Sequence, residues 1–240
     1  MVKWDRTKGR PEPVRLLDLV PIVENGEPLV DLRVVCPQVR IFRPQTIPYL
    51  RETVARMLGA AAAKLAPEYV LAASDCWRPF SRQVMIYEFV TRCAKEAFPD
   101  RGPTALKRTV NRWVAPIDRP SPPGHCTGAA VDVVLLDPSG PEVDVVSPFS
   151  RFKAAPTYSL GLTDIAQRNR DLLVNTMLEV GFSNCRDEWW HYSFGDAGWA
   201  VRLDKPTCMY GLVELDPKLY EEQERLAVQA MNRRPNPFLT

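Results

Sequence analysis

His125-Cys126-Thr127-Gly128-Ala129-Ala130-Val131-Asp132-Val133-Val134-Leu135-Leu136 is the stretch on which the reading of this chain turns. From Ala129 to Leu136 it is apolar and rich in valine, and the turn signal Asp137-Pro138-Ser139-Gly140 stops it, so a buried strand is expected there. Asp132 then faces one side of the strand while Val131 and Val133 face the other. His125 and Asp132 have metal-ligand chemistry, but a straight strand of seven residues would separate them by roughly 23 Å. Joint ligation therefore requires the chain to bend, and Gly128 with its small neighbours permits that. The same residues also read as a capped turn entering a strand, with Asp132 as a hydrogen-bonded core carboxylate.

The chain of 240 residues has only two histidines, and the second closes Glu188-Trp189-Trp190-His191. Imidazole nitrogen and carboxylate oxygen are natural zinc ligands, and a catalytic zinc commonly takes three of them, leaving one position to water. His125, Asp132 and His191 make three, and Glu188 is left over as a candidate base. Residues three apart share a face on a helix but oppose each other on a strand. The aromatic run favours a strand, which puts Glu188 at its bent entrance. The two tryptophans read as core and pocket wall.

Working outward, Pro48 opens a helical pattern carried by Leu50, Val54, Met57, Leu58, Ala61 and Leu65 and stopped by Pro67. Tyr69 to Ser74 reads as a short buried strand that delivers Asp75-Cys76-Trp77-Arg78-Pro79. Helices are expected from about Ser81 to Ala97 and within Pro103 to Trp113, followed by a proline-rich loop to Gly124. Thr163 caps a further helix that Gly181 ends. An amphipathic helix is expected from Pro217 to about Asn232. Leu16 to Val20 and Leu29 to Val35 read as irregular strands around the turn at Glu24-Asn25-Gly26-Glu27. The fold class expected is α+β: a single domain over residues 1–240, with a central, mostly antiparallel sheet, helices packed around it and a zinc cleft on the sheet.

Bulk properties exclude several classes. Thirty-one basic and 29 acidic side chains nearly cancel, so no nucleic-acid or membrane footprint is expected. No segment reaches the apolar length needed to span a bilayer. Met1 to Arg10 is charged and unlike a signal peptide, so a cytoplasmic location is expected unless a native leader has been removed. The 23 prolines point to fixed turns, at about twice the ordinary share. The six cysteines include no Cys-x-x-Cys pair and read as free thiols.

Asp75-Cys76-Trp77-Arg78-Pro79, His125-x2-Gly128-x-Ala130-x-Asp132 and Glu188-Trp189-Trp190-His191 together resemble the zinc D-alanyl-D-alanine dipeptidases of the VanX type. These belong to a wider fold group with D,D-carboxypeptidases and the hedgehog signalling domain. The resemblance runs over about residues 15–200, and the doubled tryptophan is its most specific mark. It implies one Zn2+ per chain on His125, Asp132 and His191, Glu188 as general base, and Arg78 steadying the oxyanion. The implied partner is a small D-amino-acid peptide such as D-Ala-D-Ala. Arg78 also reads as a structural ion pair with Asp75, and Cys126 as a small residue filling space beside the ligand loop.

The chain departs from this family in two places. Pro123-Gly124 precedes His125 where a serine is usual two residues before the histidine. Val145-Val146-Ser147-Pro148-Phe149-Ser150 is the best counterpart of a segment whose acid holds the substrate ammonium, and Ser150 stands in the acid's place. Asp144 and Asp164 are the candidates for recruitment. The alternatives are a D,D-carboxypeptidase for longer or N-blocked peptides or, as the resemblance to the hedgehog group implies, a non-catalytic zinc-binding interaction domain. A purely structural zinc needs neither Glu188 nor Arg78, which counts against the latter.

Overall fold

The computed structural model describes residues 12–147, 155–159 and 161–239. The expectations placed on Met1 to Arg10 and on Pro148 to Ser150 lie outside them. The central sheet takes its strands in the order β2 (Arg40–Ile41), β4 (Val70–Asp75), β5 (Ala130–Leu136), β7 (His191–Ser193) and β6 (Ser183–Asn184). Only the β2–β4 pair is parallel. A two-stranded antiparallel ribbon pairs β1 (Leu29–Asp31) with β3 (Tyr49–Arg51). The expected α+β class with a mostly antiparallel sheet is observed.

Alternation along the strands decides which face is core. Leu71, Ala73, Val131, Val133 and Leu135 are buried on one face of the sheet. They share a cluster with Val54, Leu58, Ala61, Ala62 and Leu65 of α3 (Glu52–Leu65) and Leu173, Val174 and Met177 of α6 (Asp164–Glu179). Both helices repeat their apolar residues at three and four, which makes one stripe. Glu52 in the first turn of α3 suits the positive end of the helix, and Thr163 caps α6 by accepting from the Ala166 amide at 3.0 Å. The opposite face of the sheet carries Ala72, Val134 and Leu136 with Phe42 and Trp189. Asp132 belongs to that second face.

α4 (Phe80–Ala97) and α5 (Pro103–Val110) form a second cluster through Phe89, Val90, Cys93, Ala94 and Val110. The C-terminal helix spans Glu221–Arg233 (α8), preceded by a 3₁₀ turn at Pro217–Leu219, close to its expected range. Three expectations need correction. Leu16 to Val20 is no strand; the chain makes a helical turn at Val14–Leu17 (α1), started by Pro13, whose carbonyl accepts from Leu16 N at 2.7 Å. The strand at Leu29 stops after three residues, because the Asp31 carboxylate caps Arg33 N at 2.9 Å and starts a helical turn, Leu32–Val35 (α2). Residues 49–51, expected as the first turn of α3, are strand β3, because β1 supplies them a ladder. Strands β2 and β6 went unforeseen, as did α7 (Ala197–Arg202), capped by the Asp196 carboxylate on Trp199 N at 2.7 Å.

The bend expected before β5 is a 3₁₀ turn, Gly124–Thr127, closed by Gly128 at φ +72°. Thr127 Oγ1 donates to Gly124 O at 2.6 Å and accepts from Ala129 N at 3.2 Å. Buried Arg51 holds the turn from outside: its Nε donates to Thr127 O at 2.8 Å and its backbone N to Gly128 O at 2.9 Å. A Cβ at Gly128 would press against Leu29 Cδ2. Gly128→Ala should therefore destabilise the fold by about 1–3 kcal/mol, from left-handed strain and overpacking together. Urea denaturation should show a lower midpoint with unchanged slope; an unchanged midpoint would mean that the turn is not under this constraint.

Candidate metal and active site

Strand register assembles the site. β4 and β5 place Asp75 opposite Asp132 across an irregularity in the ladder, and β5 and β7 place Asp132 opposite His191. Directly opposed residues share a face with Cβ atoms about 5 Å apart, so Asp75, Asp132 and His191 stand in a row. The 3₁₀ turn folds His125 back over the row. His125 Nε2 lies 3.3 Å and His191 Nδ1 2.9 Å from the same atom, Asp132 Oδ1. One ligand-type atom from each of the three residues falls within 4.8 Å of the others, and among the described residues this is the group suited to a metal ion. The two histidine rings meet edge to face, 5.0 Å between centroids.

The donor set fits zinc. His125 Nδ1 lies 2.9 Å from Cys76 O. A carbonyl can only accept, so Nδ1 carries the hydrogen and the Nε2 lone pair faces the cluster, as a ligand imidazole requires. Asp132 is held ionised. Burial disfavours its charge, but the neighbouring imidazoles of His125 and then His191 outweigh burial and hold its pKa well below the carboxylate range. Burial also pushes His191 down, yet its bond to Asp132 and the charges of Asp132 and Glu188 lift its pKa to about 9. Cys126, beside His125, is buried and outside the cluster, and burial pushes its thiol up to about 12. It fills space, as expected.

Glu188 sits in the turn before β7, with His191 N donating to Glu188 O at 3.2 Å. Its Oε2 is 3.9 Å from His191 Nδ1. The surrounding protein raises its pKa above the ordinary value, chiefly by desolvation, although 37 % of the side chain still meets solvent. The bent entrance expected for Glu188 is observed.

Arg78 follows β4, and its backbone N donates to His125 O at 3.1 Å. The ion pair with Asp75 is present, and Nη1 donates to Gln83 Oε1. That pair does not exhaust the guanidinium, which carries five N–H groups. Nε is buried and, among the described residues, has no partner. Burial opposes the charge of Asp75, but Arg78 overcomes it and keeps the carboxyl below its usual range.

The other expected acids stand apart from this cluster. Asp144 is exposed, with its carboxylate taken by Val146 N at 3.0 Å and Thr163 Oγ1 at 3.4 Å; Asp164 is exposed in the first turn of α6. Ser150 lies outside the described residues. Sequence reasoning missed Arg170, which is buried on α6 and donates to Val145 O at 2.7 and 2.9 Å and to Pro156 O at 2.9 Å. Its guanidinium lies 5.3 Å from the Trp189 ring. The available signal was an arginine in the apolar stripe Ala166, Arg170, Leu173, Val174, Met177. It also missed Asn184, for which a lone asparagine offered no signal.

Two imidazoles and a carboxylate, with a second carboxyl 3.9 Å from one imidazole, are donor types that suit a hydrolytic metal ion. Residues 34–209 match the M15 peptidase family, described as D-ala-D-ala dipeptidase. The chain belongs to this family and is a peptidase. It is 29% identical over 244 residues to a D-alanyl-D-alanine dipeptidase of Synechocystis sp. strain PCC 6803, covering 84% of this chain and 98% of that protein. It is 34% identical over 86 residues to a D-alanyl-D-alanine dipeptidase of Escherichia coli K12, covering 35% of this chain and 45% of that one. A solved structure of a vancomycin-resistance D,D-pentapeptidase VanY variant with Zn(II) covers 80% of this chain and 96% of its own, at 14% identity and a TM-score of 0.42. Among the described residues no helix is long and apolar enough to cross a membrane.

If His125, Asp132 and His191 are the metal ligands, His191→Ala should lose zinc or hold it far more weakly. Metal analysis after dialysis reads this directly, and full stoichiometry with unchanged affinity would rule the site out.

Proposed function

We propose that the protein hydrolyses the D-Ala-D-Ala dipeptide, with one zinc ion held by His125, Asp132 and His191. The observation that carries this reading is the convergence of those donors beside the Glu188 carboxyl, 3.9 Å from His191 Nδ1. Zinc in such a setting polarises a carbonyl and lowers the pKa of water towards neutrality. Glu188 takes the proton of the attacking water and returns it to the leaving amine; its raised pKa suits a group that must hold and release a proton. Arg78, fixed by Asp75 and Gln83, donates to the oxygen that becomes negative, where a positioned cation in a dry cleft acts strongly. All six cysteines are free thiols, which supports a reducing, cytoplasmic setting.

Glu188→Gln should keep zinc and lower the rate on the order of a hundredfold or more. Arg78→Ala should keep zinc and lower kcat, because its contact is made mainly in the transition state. Released alanine, assayed with zinc-loaded protein and D-Ala-D-Ala or L-Ala-L-Ala, reads both. Near wild-type activity in both variants would refute the assigned mechanism.

Ser150 supports a second reading. A buried substrate ammonium without an acid is costly, and the exposed Asp144 carboxylate already accepts from Val146 N and Thr163. Discrimination against N-acetyl-D-Ala-D-Ala should therefore be weak, and longer D,D-peptides should serve as substrates. Comparing kcat/KM for the free and acetylated dipeptides decides this; strong rejection of the acetylated form would restore the plain dipeptidase reading.

A further inference from the structure

Glu188 and His191 stand on one short turn, so the distance between the proposed base and the proposed ligand depends on what holds that turn. Its own hydrogen bond, His191 N to Glu188 O, is 3.2 Å long. A fully buried side chain reaches across it from β6. Asn184 Nδ2 lies 3.1 Å from Glu188 O and 2.9 Å from His191 O, with Trp189 O at 3.5 Å. Asn184 Oδ1 accepts from Thr157 Oγ1 at 2.7 Å, and that hydroxyl also lies 3.2 Å from Cys185 O. Carbonyl oxygens only accept, so the amide orientation is dictated: its two N–H groups face the turn and its oxygen faces the hydroxyl. Thr157 is itself buried, and its backbone N donates to Arg186 O at 3.1 Å. Next to it, Ala155 O accepts from Trp189 N at 2.9 Å.

We propose that Asn184 is a positioning residue, whose carboxamide, oriented by Thr157, sets the spacing between Glu188 and His191 for catalysis and metal binding. This rests on the reading of Glu188 and His191 given above. A single amino group holding the carbonyls at both ends of the turn fixes the two side chains relative to one another. The neighbouring strand pairing, Ser183 with Ser193 and Asn184 with Tyr192, fixes β7 but not the turn before it. Groups that orient metal ligands are commonly worth 10- to 100-fold in affinity or activity, by the ordinary order of magnitude.

Asn184→Asp keeps the size and removes both donors, setting a carboxylate oxygen against carbonyl oxygens. In folded, zinc-loaded protein kcat on D-Ala-D-Ala should fall at least about tenfold with KM within about twofold, and the zinc Kd should weaken on the order of tenfold. Thr157→Val, which removes the orienting hydroxyl, should shift both readouts the same way, and Thr157→Ser should restore them. A structural role alone would lower the melting temperature and leave kcat and zinc Kd of the folded protein unchanged. That result for Asn184→Asp overturns the proposal. Should Asn184→Asp fail to fold, equal kcat and zinc Kd in Thr157→Val and Thr157→Ser overturn it. Should the wild type cleave none of the peptides, the catalytic reading fails, and the zinc Kd series alone decides for or against Asn184.

Discussion

The site depends on a register. Asp75, Asp132 and His191 meet because β4, β5 and β7 are paired so that the three residues oppose one another. Side chains alternate with a period of two, so a slip of one residue would turn each of them to the other face of the sheet. That face is already filled by Val131, Val133 and Leu135 packed against α3 and α6. Burying a carboxylate there without partners would cost several kcal/mol, on the order set for an uncompensated interior charge. The apolar residues of β5 therefore hold the polar ones in place. Hydrophobic burial chooses the register, and the register brings the donors together.

Charge held inside the protein is the second theme. Arg51, Arg170 and Arg202 are almost fully buried and reach backbone carbonyls or side chains far away in sequence. Arg202 Nε donates to Ser183 Oγ at 2.9 Å, and its Nη atoms reach Ser193 and Glu12, tying β6 to β7. Arg51 does the same for the turn that carries His125. Such groups contribute modest net stability, since their desolvation offsets much of what their bonds return. Their value lies in geometry, because a planar fork of donors holds two loops at a set distance. Gly124 shows how tight that packing is: a Cβ there would stand 2.5 Å from Asp196 Oδ2. That contact gives a physical reason for glycine immediately before His125.

The elements that sequence made legible are those with long, uninterrupted patterns. β5, α3, α4 and α6 follow from valine runs, three-four spacing, a threonine cap and a terminating glycine. The clustering of His125, Asp132 and His191 was legible for a different reason: a chain with two histidines, each beside a carboxylate, leaves few other arrangements. What was not legible is what local sequence does not encode. Residues 49–51 fit a helix until β1 is beside them, and Leu16 to Val20 fits a strand until it is seen to have no ladder. The Arg78 pair with Asp75 was one of two open readings, and the structure contains it while leaving the Arg78 Nε without a partner among the described residues. Asn184 is the sharpest case, because its importance comes wholly from carbonyls brought to it by a turn.

The family pattern ends at residue 209, but the packing does not. Gly211 O accepts from Arg51 Nη2 at 3.2 Å, so the segment after the matched region braces the arginine that holds the ligand turn. Val213 O accepts from Trp77 Nε1 at 3.1 Å, and Val213 N reaches back to Cys126 O at 3.4 Å. Tyr220 packs edge-on against Trp77 at 5.2 Å, and Arg82 on α4 pairs with Glu224 on α8 at 2.7 Å. Trp77 and Cys126 are the immediate neighbours of Arg78 and His125. The C-terminal segment therefore touches both proposed functional strips from behind without contributing a residue to the metal cluster. A site made of loops and strand ends needs such support, because residues at the ends of elements have fewer neighbours to hold them than residues within. The motif marks where chemistry is expected, and the chain beyond it helps hold that chemistry still.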